Sequence, residues 1–247
     1  MKPGAFLVTG GSSGIGAAIA RQLAVTGRRV GVISRTGEPK AQDAWGAPDP
    51  KVDWIEANLA DAVATGAAVA TWSARINHAI DGLVLSAVDY GFPPRHPILS
   101  STLAEFDRLW MVNLRSQFVM LSLVLPALVA RQRAVILTIS SSAALGAAPG
   151  RAMYGATKAG SLALFRSLAE ELGSTGVSVI QALPQNQVKT PGIQARRPQG
   201  FAFEDYDTPS IFEPLTKHMQ ATLGAGMNGA ILSIDSSGHW HDIMLPR

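Results

Sequence analysis

The chain has 247 residues, 47% hydrophobic and only 16% charged, with a formal charge of +3 and no cysteine. That is apolar material for one sizeable core and no clear second one. The missing cysteines exclude disulfides, a thiolate nucleophile and thiolate metal sites. The basic pairs Arg28-Arg29 and Arg196-Arg197 stand apart, without the stripe that nucleic-acid binding wants. Five histidines (His78, His96, His218, His239, His241) show no metal-ligand spacing beyond His239-Trp240-His241, so no metal is expected. The apolar stretch 118–130 is interrupted by Ser122 and Pro126 and falls short of the ~20 residues of a membrane span. The apolar run at the start, up to Val8, is too short for a signal peptide, so the expected setting is the cytoplasm.

In chain order, residues 5–8 read as a strand running into Thr9-Gly10-Gly11-Ser12-Ser13-Gly14-Ile15-Gly16. Ile15, Ile19 and Leu23 then mark a helix that Gly27 ends. Strand, glycine turn and helix make a phosphate cradle: backbone comes close to a pyrophosphate, and the helix N-terminus offers free N–H groups. A second strand, 29–34, ends at Ser34-Arg35-Thr36 with no acid before Glu38. A carboxylate there would suit the ribose 2′-hydroxyl of NAD, and an arginine the 2′-phosphate of NADP, so NADP(H) is favoured over NAD(H). A third strand, 52–57, ends at Asn58-Leu59, and a helix over 63–76 precedes the strand 82–85 with Ser86-Ala87-Val88 at its end. The pattern over 103–128 predicts one long helix carrying Phe106, Leu109, Trp110 and Phe118, with Asn113 out of place among apolar residues. An asparagine satisfied by neighbouring backbone is the bland reading of that position.

The chemistry gathers in residues 134–173. A β-branched strand, 134–139, runs into Ser140-Ser141-Ser142 and a small-residue loop, and from Met153 the pattern turns helical. Tyr154 and Lys158 sit one turn apart on one face. A phenol beside a fixed ammonium is expected to have a lowered pKa and to serve as proton donor and acceptor near neutral pH. A strand follows at 177–183, then a loop with Val188 and Thr190, and a lid over 191–214 bearing Phe201, Phe203, Tyr206 and Phe212. A helix over 214–223 and a strand at 230–234 finish the core. Strands alternating with helices predict an α/β doubly wound parallel sheet in one domain spanning 1–247.

These pieces resemble the short-chain dehydrogenase/reductase family over nearly the whole chain. Thr9-Gly10-x-x-x-Gly14-x-Gly16 is similar to the family's cofactor turn, and Asn113, Ser141, Tyr154 and Lys158 match its catalytic tetrad, with Ser141 thirteen positions before Tyr154. The resemblance implies that Tyr154 exchanges a proton with the substrate oxygen and that Lys158 lowers the Tyr154 pKa and holds the nicotinamide ribose. It implies further that Ser141 orients the carbonyl and that Asn113 holds a water. Implied cofactor contacts are Gly10, Ser12, Ser13, Gly14, Ile15, Gly16, Ser34, Arg35, Asn58, Leu59, Ala87, Tyr154, Lys158, Val188 and Thr190. Departures from the family pattern are Leu85-Ser86-Ala87-Val88, Gln185-Asn186 in place of Pro-Gly, Asp235-Ser236-Ser237 in place of Asp-Gly-Gly, and Asn58 in place of an aspartate.

The expected function is an NADP(H)-dependent carbonyl reductase or alcohol dehydrogenase with an uncharged or weakly charged, fairly apolar substrate. The alternative is a non-catalytic cofactor-binding protein, a sensor or regulator that kept the fold. Apolar residues spread around the helices at 103–128 and 154–172 point to a homotetramer or homodimer, and the resemblance implies that these two helices form the interface.

Overall fold

The computed structural model describes residues 4–37, 49–76, 79–93 and 95–244; Glu38 and His78 lie outside them. The strands are β1 (Ala5–Thr9), β2 (Val30–Ser34), β3 (Val52–Glu56), β4 (Ile80–Leu85), β5 (Ala134–Ile139), β6 (Val177–Pro184), β7 (Ile231–Ile234) and β8 (Trp240–Asp242). They form one sheet in the order β3-β2-β1-β4-β5-β6-β7-β8. The first seven are parallel, and β8 is antiparallel to β7. Every position of β1, β2, β4 and β5 is buried, because helices cover both faces. That is why these strands read as continuous apolar runs with no alternation.

On one face α1 (Gly14–Val25) and α7 (Glu213–Thr222) close a core around Val8, Ile19, Val32, Leu137, Phe212 and Leu215. On the other, α2 (Ala62–Ile76), α4 (Ser116–Arg131) and α5 (Ala152–Glu171) pack over Leu7, Ile33, Trp72, Leu83, Met120 and Phe165. The strand order reverses between β1 and β4, and the loops at the carboxyl ends of these strands flank the crevice where such sheets bind ligands. At the opposite edge, Asp81 accepts from the Gly4 N–H (2.7 Å), Arg28 (2.8 Å) and Arg131 (2.6 Å), tying β1, β4 and α4 together.

Three features differ from the sequence reading. The long helix is α3 (Leu103–Trp110), a π turn (Met111–Arg115) and α4, centred on Asn113. Its 29 residues, Leu103–Arg131, are long and apolar enough to cross a membrane by length and composition, which the shorter stretch 118–130 did not suggest. Met120, Leu121, Val124 and Leu128 instead seat it on the sheet as a core helix. The tail contributes β8, whose three residues are too few to show a period. The segment 191–214 holds α6 (Pro191–Gln194) and a 3₁₀ turn (Pro209–Phe212), and its Phe212 is a fully buried core residue under α1, not a loose aromatic.

Candidate active site

β1 delivers the chain to a turn that needs glycine. Gly10 (φ +67°) and Gly14 (φ +58°) occupy left-handed backbone. A Cβ on Gly10 would stand 2.6 Å from the Ala87 Cα, and one on Gly16 2.5 Å from the Gly10 carbonyl oxygen. Thr9 Oγ1 accepts from the N–H groups of Ser86 (3.2 Å) and Ala87 (3.4 Å), which locks the ends of β1 and β4 together. Ser13 is the N-cap of α1, yet its side chain makes no cap bond. The first N–H groups of α1, between Ser12, Ser13, Gly14, Ile15 and Gly16, thus suit a pyrophosphate. Thr190 arrives at the same turn, its methyl 3.0 Å from where a Gly14 Cβ would be. This cradle, which added side chains would fill, fits a dinucleotide.

Arg35 is exposed at the end of β2, and Ser34 Oγ donates to the Gly37 carbonyl at 2.6 Å. Glu56 stands opposite Ser34 in register, with its carboxylate 3.6 Å from a Cβ placed on Gly37. This acid was not anticipated, because it comes from β3 and not from the end of β2. Asn58 Oδ1 accepts from the Ala60 N–H at 3.1 Å, so the side chain shapes its own turn, and Leu59 beside it is buried. Val188 is buried in a parallel bridge with Asp207.

Tyr154 and Lys158 lie in the first turns of α5. Lys158 is 3% exposed, and its Nζ donates to the Ile139 carbonyl at 2.9 Å. Ser141, extended at the end of β5 (φ −156°), accepts from the Ala143 N–H at 3.2 Å and lies close enough to the Tyr154 phenol to favour its ionised form. Burial pushes the Tyr154 phenol well above its ordinary value, Tyr90 adds to this, and Ser141, Arg151 and Arg95 oppose it. Burial lowers Lys158 to about 8. The expectation of a lowered phenol pKa is therefore corrected: burial raises it. The ammonium is aimed at the Ile139 carbonyl and sits 6.0 Å from the Tyr154 ring centre, so dehydration of the phenol prevails.

Asn113 is fully buried in the π turn, a device that inserts a residue into a helix at functional sites. Its Oδ1 accepts from the Asp89 N–H (2.7 Å), and its Nδ2 donates to the Asp89 carbonyl (2.9 Å) and Thr157 Oγ1 (3.2 Å). Thr157 in turn donates to the Tyr154 carbonyl at 2.8 Å. Both amide donors are used, so the side chain is a bracket between the loop after β4 and the Tyr154 turn, with no donor left for a water. Beneath Lys158, Ser161 Oγ donates to Gln117 (2.7 Å), which donates to Thr138 (3.4 Å).

Tyr90, Arg95 and Arg196 carry no site role in the sequence reading, and the fold brings them close to Tyr154 and to the aromatics of the segment 191–214. Tyr90 stacks on Tyr154 with ring centres 5.9 Å apart and lies beside Thr190. Arg196 lies 5.3 Å over the Tyr90 ring and donates to the carbonyls of Gly91 (2.6 Å) and Gly192 (3.1 Å), which ties the segment 191–214 to the loop after β4. Arg197 donates to Tyr206 (2.6 Å) and Gln187 (3.1 Å), and Phe201, Phe203 and Tyr206 pack edge to face. Beside Tyr90 and Tyr154 a narrow cavity of about 30 Å³ is lined also by Arg95, His96 and Glu105. Two of the altered segments meet: Asn186 Nδ2 donates to Ser236 Oγ at 3.0 Å, while Asp235 closes the β7–β8 turn on Ser237 and His239. Among the described residues no cluster of His, Asp and Glu could hold a metal ion.

A doubly wound sheet with a glycine cradle after β1 and a Ser, Tyr and Lys group between β5 and α5 defines a nucleotide-dependent oxidoreductase of the single-domain kind. The short chain dehydrogenase family matches residues 5–199, and the chain belongs to it. The 2-(R)-hydroxypropyl-CoM dehydrogenase of Xanthobacter autotrophicus is 33% identical over 196 residues, covering 78% of each chain. Levodione reductase of Leifsonia aquatica is 30% identical over 192 residues, 76% of this chain and 70% of that one. The crystal structure of a 3-ketoacyl-ACP reductase from Sinorhizobium meliloti 1021 superposes with a TM-score of 0.79 at 27% identity, covering 95% and 98% of the two chains. The protein is thus an oxidoreductase of this family, which uses a nicotinamide cofactor for hydride transfer with a small-molecule substrate.

Proposed function

We propose that the protein is an NADP(H)-dependent reductase or dehydrogenase of carbonyl and alcohol substrates, with Tyr154 as the proton donor and acceptor. One observation carries the reading: Tyr154 lines the cavity with Ser141 beside its phenol, the buried Lys158 one turn behind it and the glycine cradle alongside. The raised pKa keeps the Tyr154 phenol protonated at neutral pH, the form that donates to a carbonyl oxygen. Ser141 orients that oxygen. Lys158, charged below about 8, stabilises the phenolate left behind and offers donors to a ribose. Asn113 acts through Asp89 and Thr157, fixing the Tyr154 turn. When bound, the nicotinamide supplies the hydride; the protein supplies position and electrostatics.

Arg35 supports the preference for NADP(H), since an exposed guanidinium there suits a 2′-phosphate. The segment 191–214 serves as the substrate lid. Phe118, 62% exposed on α4, and the partly exposed Trp110 and Leu123 support a homotetramer or homodimer. The test is a fluorescence titration with NADPH and NADH, followed by a ketone panel read as loss of NADPH absorbance. Binding of neither nucleotide, or binding without turnover of any ketone or alcohol, would overturn the reading.

A further inference from the structure

The cavity mouth is cationic. Arg95 and Tyr154 line it, and Arg151 is the N-cap residue of α5, directly before Ala152 and Met153 in the cavity wall. Arg196 covers the Tyr90 ring that stacks on Tyr154. A Cβ on Gly150 would stand 3.1 Å from Arg95 Cβ, so the Arg95 backbone is seated against the loop that carries Arg151. Among the described residues, no carboxylate forms an ion pair with Arg95, Arg151, Arg196 or Arg197. The nearby acids are taken up elsewhere: Glu105 by the Thr102 N–H (3.0 Å) and His96 (3.3 Å), Asp89 by Arg108 (3.0 Å). The N-terminus of α5 has neither a side-chain cap nor an acid in its first turn, which adds a positive dipole end. Burial first, and then the charges of Arg151 and Arg197, push the Arg95 pKa down, with Tyr206 and Tyr154 opposing.

We propose that Arg95 and Arg151 form an anion subsite beside Tyr154, with the charge of Arg196 further off over the Tyr90 ring, and that the substrate is a ketone or its alcohol carrying a carboxylate, sulfonate or phosphate on a short spacer. The inference rests on the reductase reading of the same site. It departs from the expectation of an uncharged, apolar substrate, since Arg95 and Arg151, far apart in sequence, come together only in the fold. The spacer is short because Arg151 and Tyr154 are three positions apart at the start of α5, a spacing that puts side chains about 5–6 Å apart at Cβ. Two methylenes between carbonyl and anion span that distance.

Three isosteric ketones test it: 4-oxopentanoate, 3-oxobutane-1-sulfonate and the neutral 2,5-hexanedione. The anionic pair should show kcat/KM about tenfold or more above the diketone, as a charge-assisted contact provides. Arg151→Gln and Arg95→Gln should each shrink that ratio severalfold, while Arg151→Lys should keep part of it. Binding is read separately by calorimetry with propane-1-sulfonate, which cannot react: wild type should bind it, and the Arg95→Gln, Arg151→Gln double variant should not. Equal kcat/KM for all three ketones, with no sulfonate binding, would overturn the subsite and leave the reductase reading standing. Sulfonate binding that the double variant loses, with no ketone reduced, would uphold the subsite and remove the reductase reading.

Discussion

Replacing Lys158 by methionine should make the cofactor-free protein more stable at neutral pH while removing its activity. Burial lowers Lys158 from 10.5 to about 8, a drop of about 2.5 pH units, or about 3 kcal/mol at 1.36 kcal/mol each. Below about 8 the ammonium is charged in both folded and unfolded chains, so the dehydration penalty is present in full. Between about 8 and 10.5 the unfolded chain binds more protons than the native one, and wild-type stability rises through that window relative to the variant. Methionine keeps most of the packing but leaves the Ile139 carbonyl without its donor, which costs about 1–3 kcal/mol. Taking the lower end of that range, Lys158→Met should be more stable than wild type by about 1–2 kcal/mol at pH 7, and the difference should vanish or reverse by pH 10.5. Urea unfolding of both proteins at the two pH values, followed by tryptophan fluorescence, measures it. A variant less stable than wild type at pH 7, or a gap that does not change with pH, would refute the argument that Lys158 is held charged against its solvation.

Tyr154→Phe should abolish turnover and leave NADPH affinity nearly unchanged in a fluorescence titration; substantial residual activity would remove the proton-donor role. Arg35→Ala should weaken NADPH binding roughly ten- to hundredfold, by loss of a charge-assisted contact, with NADH little affected. Equal losses for both, or a wild type preferring NADH, would sink the cofactor assignment. Light scattering at micromolar protein should find a tetramer or dimer that Phe118→Asp dissociates; a wild-type species at the 26.0 kDa chain mass would remove the interface on α4.

What could be read directly from the sequence was local. The strand runs, the glycine turn at Gly10, Gly14 and Gly16, and the pairing of Tyr154 with Lys158 on one helical face each depend on neighbours within a few positions, where periodicity and φ requirements leave a signature. The order of pieces along the chain then sufficed for a doubly wound sheet. The fold alone decided what depends on partners distant in sequence. Asn113 was visible as an anomaly, but its use as a bracket needed Asp89 and Thr157 to be brought to it through a π turn. Phe212 read as a lid aromatic because nothing nearby in the chain marks it as core; it is core because α1 lies over it. β8 exists only because β7 offers it an edge. The electrostatics were likewise invisible: Tyr154 next to a lysine suggests a lowered phenol, while its burial raises it. Desolvation depends on how many protein atoms surround a group, and Arg95 and the loop that carries Arg151 meet only after the chain has closed. Both are sums over three-dimensional neighbours, which no window along the sequence contains.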